Sequence, residues 1–173
     1  MTRINLQNRI YFLTSVTYER KKFFTSEDLA QIVKDQWQHY EKEFNFDLQA
    51  FAILPDHYHV LIELGEEEDI SEILYAVNSY SAKLINENLE GKEYEKIWRG
   101  NVYDEVIRSK KMYFQKLAYV LFNPWRAGLV DDPFMDYRFS NLDEWVESRG
   151  KGFVEDLFSK FRRWGEWRVF LQV

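Results

Sequence analysis

At 173 residues and 46% hydrophobic content, the chain can build one ordinary domain with a full core and a modest extension. It has no cysteine, which excludes thiol nucleophiles, thiolate metal sites and disulfides and fits a reducing compartment. A net charge of −6 counts against generic duplex-DNA binding, which asks for a basic domain. The charge is segregated, however. Bases cluster at Arg20-Lys21-Lys22 and Arg108-Ser109-Lys110-Lys111, and acids at Glu66-Glu67-Glu68-Asp69 and Asp131-Asp132.

Ile10, Phe12, Thr14 and Val16 alternate with Tyr11 and Leu13, so residues 8–17 read as a strand buried on both faces. Thr25 with Asp28 three residues on has the form of a helix N-cap. Leu29, Ile32, Val33, Trp37, Tyr40 and Phe44 follow at helical spacing. Residues 48–54 read as a second strand, Pro55-Asp56 as a tight turn, and residues 57–64 as a third strand antiparallel to the second. Asp69 with Glu72 resembles a capping box, opening a second helix through Ile70, Ile73, Leu74, Val77, Ser81, Leu84 and Ile85. Residues 96–107, with Gly100-Asn101 inside, are expected to give a short fourth strand with a turn. Residues 110–123 are expected to form a third helix stopped by Pro124. Further on, 154–164 looks helical and 167–173 looks like a strand. The order β-α-β-β-α-β followed by a helix is the split βαβ, ferredoxin-like pattern, with two helices on one sheet face. No run of about 18 apolar residues exists, so no membrane span is expected. The first residues lack the apolar core of a signal peptide, so the expected location is cytoplasmic.

Two of the three histidines, His57 and His59, lie at i and i+2 just after the turn. Alternate side chains of a strand share a face, so both imidazoles point one way and Tyr58 the other. Their Cα atoms are then roughly 6.5–7 Å apart, close enough to hold one metal ion. The bland alternative is a half-exposed strand with two polar residues outward. Against it, Val60, Leu61, Ile62 and Leu64 make the rest of the run hydrophobic.

Tyr119 and Asn123, four apart on the third helix, share one of its faces. A phenol of pKa about 10 is a poor nucleophile at neutral pH and needs a polarised phosphate or a nearby base. A metal on His57, His59 and the Asn123 oxygen would polarise that phosphate. Taken singly, any of eleven tyrosines is more often packing, and an Asn before Pro is often a helix end. Tyr113 on the same helix is a competing nucleophile, but only Tyr119 has an i+4 polar neighbour able to share the metal.

Three segments together carry a resemblance. They are Leu54-Pro55-Asp56-His57-Tyr58-His59-Val60-Leu61, then Trp98-Arg99 through Tyr103-Asp104 to Ile107-Arg108, then Tyr119 through Asn123-Pro124-Trp125-Arg126-Ala127-Gly128-Leu129-Val130. Across about residues 8–140 the chain resembles the REP-associated tyrosine transposases, single-tyrosine HUH enzymes of the insertion-sequence 200/605 type. The Asn-Pro-x-Arg-Ala-Gly-Leu-Val stretch is more specific than His-x-His. The resemblance implies an α+β, ferredoxin-like βαββαβ sandwich with an added catalytic helix. It also implies a divalent metal, Mg or Mn, and cleavage and rejoining of single-stranded DNA hairpins by a monomer or homodimer. By position, Tyr119 is the nucleophile, His57, His59 and Asn123 are the ligands, and Arg99, Arg108, Lys110, Lys111 and Arg126 are candidates for DNA contacts. The transposase-like domain would span 1–140, with 141–173 an extension packed on it. Tyr137-Arg138-Phe139-Ser140-Asn141 stands where the family often has Trp-x-x-Ser-Ser.

Two rivals stand beside this reading. One is a domesticated relative that binds hairpin nucleic acid without cutting. The other is a phosphohydrolase with a histidine nucleophile, whose triad would need a third alternate histidine where Leu61 stands.

Overall fold

The computed structural model describes residues 9–89 and 91–162. Four strands form one antiparallel sheet: β1 (Arg9–Thr17), β2 (Asp47–Leu54), β3 (His57–Leu64) and β4 (Trp98–Val106), in the order β2-β3-β1-β4. This is the ferredoxin-like arrangement, with each split βαβ unit enclosing one strand of the other. Helices α1 (Glu27–Glu43) and α2 (Ile70–Asn88) cover one face. On the other lie α3 (Lys110–Leu121), a short α4 (Asn123–Arg126), α5 (Leu142–Arg149) and α6 (Lys151–Phe161). The sheet is therefore the middle of three layers, and every residue of β3 is buried. That corrects the half-exposed alternative for this strand.

The two cores divide β3 residue by residue. Tyr58, Val60, Ile62 and Leu64 pack with Trp37, Ile73 and Val77 under α1 and α2. Leu61, with Phe12 of β1, packs with Leu117, Tyr119 and Val120 of α3. Burying each such aliphatic or aromatic side chain contributes about 1.5–3 kcal/mol. Leu142, Val154 and Leu157, from the stretch read as an extension, are buried in that second core.

Three boundaries differ from the sequence expectations. The cap of α1 is Ser26, while the Thr25 hydroxyl donates to Lys22 O at 2.9 Å within a 3-10 turn. The fourth strand runs nine residues without a turn. Gly100 at φ 95° absorbs an irregularity where the pairing with β1 shifts between Ser15 and Thr17. The third helix ends at Leu121, and Pro124 sits in the first turn of α4 rather than stopping a longer helix. Gly128, at φ 72°, donates its N–H to Trp125 O and closes that turn. The expected helix end past 162 and the strand 167–173 lie outside the described residues.

The edge strand β2 is partly covered. Ile53 N–H donates to Phe139 O at 2.8 Å, Ala52 bridges to Ser140, and Phe51 N–H donates to Asn141 Oδ1 at 3.0 Å. Phe139-Ser140-Asn141 thus shields an edge that would otherwise offer free pairing groups.

Candidate active site

β3 delivers the two histidines to the α3 face, with ring centroids 4.8 Å apart. His57 is 7% and His59 1% exposed, so the neighbouring turn does not open them to bulk solvent. Each has one nitrogen fixed from behind. The Asp56 carboxylate lies 2.5 Å from His57 Nδ1. Thr14 Oγ1, directly across the β1–β3 pairing, lies 2.6 Å from His59 Nδ1. With each Nδ1–H donating to that oxygen, each Nε2 keeps a lone pair facing away. Both Nε2 atoms are buried without a hydrogen-bond partner. Such orphans are uncommon in folded proteins and ask for a reason. The one other buried side-chain orphan among the described residues, Trp37 Nε1, is a single indole packed against Tyr58. Only the histidines form an adjacent pair.

The donor set fits a divalent cation. An imidazole whose far nitrogen is held by a carboxylate or hydroxyl is the usual form of a metal-bound histidine. Among the described residues no three His, Cys, Asp or Glu side chains converge, so further ligands must come from an amide, water or substrate. Burial, then His57 and Lys116, hold the His59 pKa well below its usual value, leaving the ring neutral and able to coordinate. Burial pushes the Asp56 carboxyl upward, but His57 and Arg20 outweigh it and keep it ionised.

The Tyr119 ring meets His59 edge-on at 4.9 Å and Phe12 at 5.6 Å. Its hydroxyl hydrogen-bonds with the Asn123 side chain. The tyrosine and asparagine thus share a site although α3 ends between them. Burial raises the Tyr119 pKa against the opposing pull of Asn123 and Arg126, so the phenol is protonated at neutral pH. Tyr113 is elsewhere. It donates to Gln49 Oε1 at 2.5 Å, at the opposite end of the sheet, beside Asp47 and Glu63.

The candidate DNA contacts divide in the same way. Arg126 lies near Tyr119, and Arg99 follows Trp98, which pairs with Thr17 at the His57 end. Arg108, Lys110 and Lys111 are exposed around the start of α3, at the Tyr113 end. Sequence reasoning missed Asp56 and Thr14 as supports of the histidines, although an Asp directly before His-x-His was a visible signal. Lys116, one turn before Tyr119, stood in the sequence as a basic residue beyond the Arg108–Lys111 cluster, with no place at the site. That lysine is 7% exposed, 2.5 Å from Glu105, and 4.5 Å above the Phe12 ring.

A family model described as IS200-like transposase matches residues 5–112, more than half of the chain, including both histidines. The chain belongs to the IS200-like transposase family. The match stops short of Tyr119 and Asn123, which rest on the geometry above. A Haemophilus influenzae chain named as a REP-associated tyrosine transposase is 28% identical over 133 residues, covering 70% of this transposase and 73% of the relative. Among solved structures, a REP-associated tyrosine transposase bound to a REP hairpin superposes with a TM-score of 0.70 at 19% identity. It covers 86% of this chain and 87% of that one. A Deinococcus radiodurans chain described as a transposase reaches 0.50 at 18% identity, covering 69% and 94%. At these identities the two structures establish the shared fold. No helix among the described residues is long and apolar enough to cross a membrane.

Proposed function

We propose that this transposase cleaves and rejoins single-stranded DNA at REP-like hairpins through a covalent phosphotyrosine on Tyr119, with Mg or Mn held by His57, His59 and Asn123. The observation that carries the reading is the adjacent pair of buried, unpartnered Nε2 atoms beside the Tyr119 ring. A divalent ion bound there supplies Lewis-acid polarisation of the scissile phosphate. Asp56 and Thr14 hold the imidazoles in the coordinating tautomer. Asn123 has an oxygen for a ligand role and an amide N–H for the phenolic oxygen, so one side chain serves both partners.

In the forward step the Tyr119 oxygen bonds to phosphorus and the bond from phosphorus to the 3′ oxygen breaks. The phenolic proton ends on the departing 3′ oxygen, leaving a free 3′ hydroxyl. Attack by another 3′ hydroxyl re-forms a phosphodiester and returns the phenol. The phosphoester bond count is conserved, so joining needs no external energy source. The hairpin preference is supported by the REP hairpin bound to the structural relative.

The test uses labelled single-stranded hairpins from palindromes flanking the gene, with Mn or Mg, beside Tyr119→Phe. A denaturation-resistant adduct lost in the variant supports the reading. Cleavage that survives in Tyr119→Phe overturns the nucleophile. Tight hairpin binding with no adduct favours the domesticated binder.

A further inference from the structure

The basic run Arg20-Lys21-Lys22 supplies neither a ligand nor the nucleophile of the chemistry above, yet its loop is tied to the histidine turn. Thr17 N–H donates to Asp56 O at 2.9 Å, the Thr17 hydroxyl reaches Lys21 O at 2.8 Å, and the Arg20 guanidinium lies 3.4 Å from the Asp56 carboxylate. Two consecutive non-glycine residues, Glu19 at φ 55° and Arg20 at φ 53°, occupy the left-handed region. L-residues avoid that region unless surrounding structure holds them there, and such strain gathers at functional sites. Here the fixing bonds are those to Asp56 and one from Tyr18 N–H to Ile97 O at 2.8 Å.

The strained turn holds Tyr18 at the surface, 37% exposed. Lys21 Nζ lies 6.0 Å and Lys96 Nζ 5.6 Å from the centre of its ring. Lys21 Nζ also lies 4.6 Å above the ring of Tyr94, which is braced edge-on by Phe23. Lys22 is exposed alongside. An exposed ring among ammonium groups is the chemistry of a single-strand platform: a base stacks on the ring and its phosphates meet the lysines. The local carboxylates are partly neutralised, since Glu19 pairs with Lys21 at 3.3 Å and Asp56 with Arg20. Glu93 and Glu95 flank Tyr94 in the sequence and are exposed.

We propose that the β1–α1 loop and residues 94–96 form a binding platform for single-stranded nucleotides flanking the scissile phosphate. One base stacks on Tyr18, and the backbone passes Lys21, Lys22 and Lys96. The inference rests on the reading that this transposase handles single-stranded DNA, and it places the approach of the strand on the Arg20–Asp56 side of the histidines.

The test is fluorescence anisotropy of the full chain with a dye-labelled oligothymidylate, which forms no hairpin, in the absence of metal. Tyr18→Ala is expected to weaken binding roughly five- to 150-fold, the loss of one stacked base. Tyr18→Trp should bind at least as tightly as the parent, which separates stacking from a folding defect. Lys21→Gln with Lys96→Gln should lower the slope of log K against log salt by about 1.4, at about 0.7 per phosphate contact. Equal affinity for the parent and Tyr18→Ala overturns the platform, as does a parent that does not bind oligothymidylate. Adduct formation by Tyr119 is scored separately. Tyr18-dependent binding without adduct leaves the platform standing and sinks the catalytic reading, while adduct with Tyr18-independent binding does the reverse.

Discussion

Adjacent residues of β3 meet opposite fates. On the α1–α2 face, the Tyr58 hydroxyl is buried and donates to Asn78 Oδ1 at 2.9 Å, while Asn78 donates to Ser15 Oγ at 3.2 Å. Trp98 closes a similar bond to Ser81 at 3.0 Å. The Tyr58 hydroxyl thus sits in a satisfied polar network inside an apolar core that leaves only the Trp37 indole N–H unpaired among the described residues, and burial keeps the Tyr58 phenol well above its usual pKa. On the α3 face the same strand leaves two nitrogens without partners beside a second buried tyrosine. Burial is nearly equal on the two sides. The difference lies in satisfaction, because a closed network contributes to stability while an open pair of nitrogen lone pairs offers binding to an incoming group.

The comparison breaks first at Tyr119. Tyr119→Phe should reduce adduct formation by a factor on the order of 10⁴ or more, as for other essential nucleophiles, with hairpin affinity retained. Denaturing electrophoresis after incubation with hairpin DNA and Mn measures it, and an undiminished adduct would move the chemistry off this face.

Next comes metal linkage. If the histidines hold an ion, Mn at about a hundredfold above its Kd stabilises the fold by about 2.7 kcal/mol. For a chain of this size that raises Tm by roughly 5–10 °C. A thermal scan should show the rise in the parent and none in His57→Ala or after chelation. A rise that persists in His57→Ala and His59→Ala would place the ion elsewhere.

Tyr58→Phe, between the two histidines in sequence, should do the opposite. Losing the bond to Asn78 is expected to cost about 1–2 kcal/mol in urea denaturation, with adduct formation unchanged at temperatures where the variant is folded. A variant of parental stability with damaged chemistry would mean that the two faces are not separate.

The smallest effect belongs to the far end of α3. Lys110→Gln with Lys111→Gln should lower the salt slope of hairpin binding by at most about 1 per lysine. The adduct yield at saturating DNA should stay at the parental level. A collapse of that yield would draw the DNA path across the start of α3 and reassign these residues to the reacting end.

The alternation of β1, the run at 57–64 and the spacing of α1 and α2 dictated the order of elements, because period 2 and period 3.6 are local properties of a chain. The face shared by His57 and His59 followed from the same rule, and so did the opposite placement of Tyr58. Other matters needed the third dimension. That α3 would cover the histidines, and leave them buried instead of half-exposed, depends on contacts between residues about sixty positions apart. The sequence already favoured Tyr119 over Tyr113 through its i+4 asparagine, but which end of the sheet each ring reaches depends on the assembled fold. Thr14 supports His59 only because β1 and β3 pair in one register, and Lys116 finds Glu105 of β4 only because it extends from α3 across Phe12 of β1. Even the early end of α3 is a cap geometry that spacing alone does not reveal. Periodicity assigns a residue to a face of its own element; which element packs on that face, and at which end, is decided by the assembled sheet.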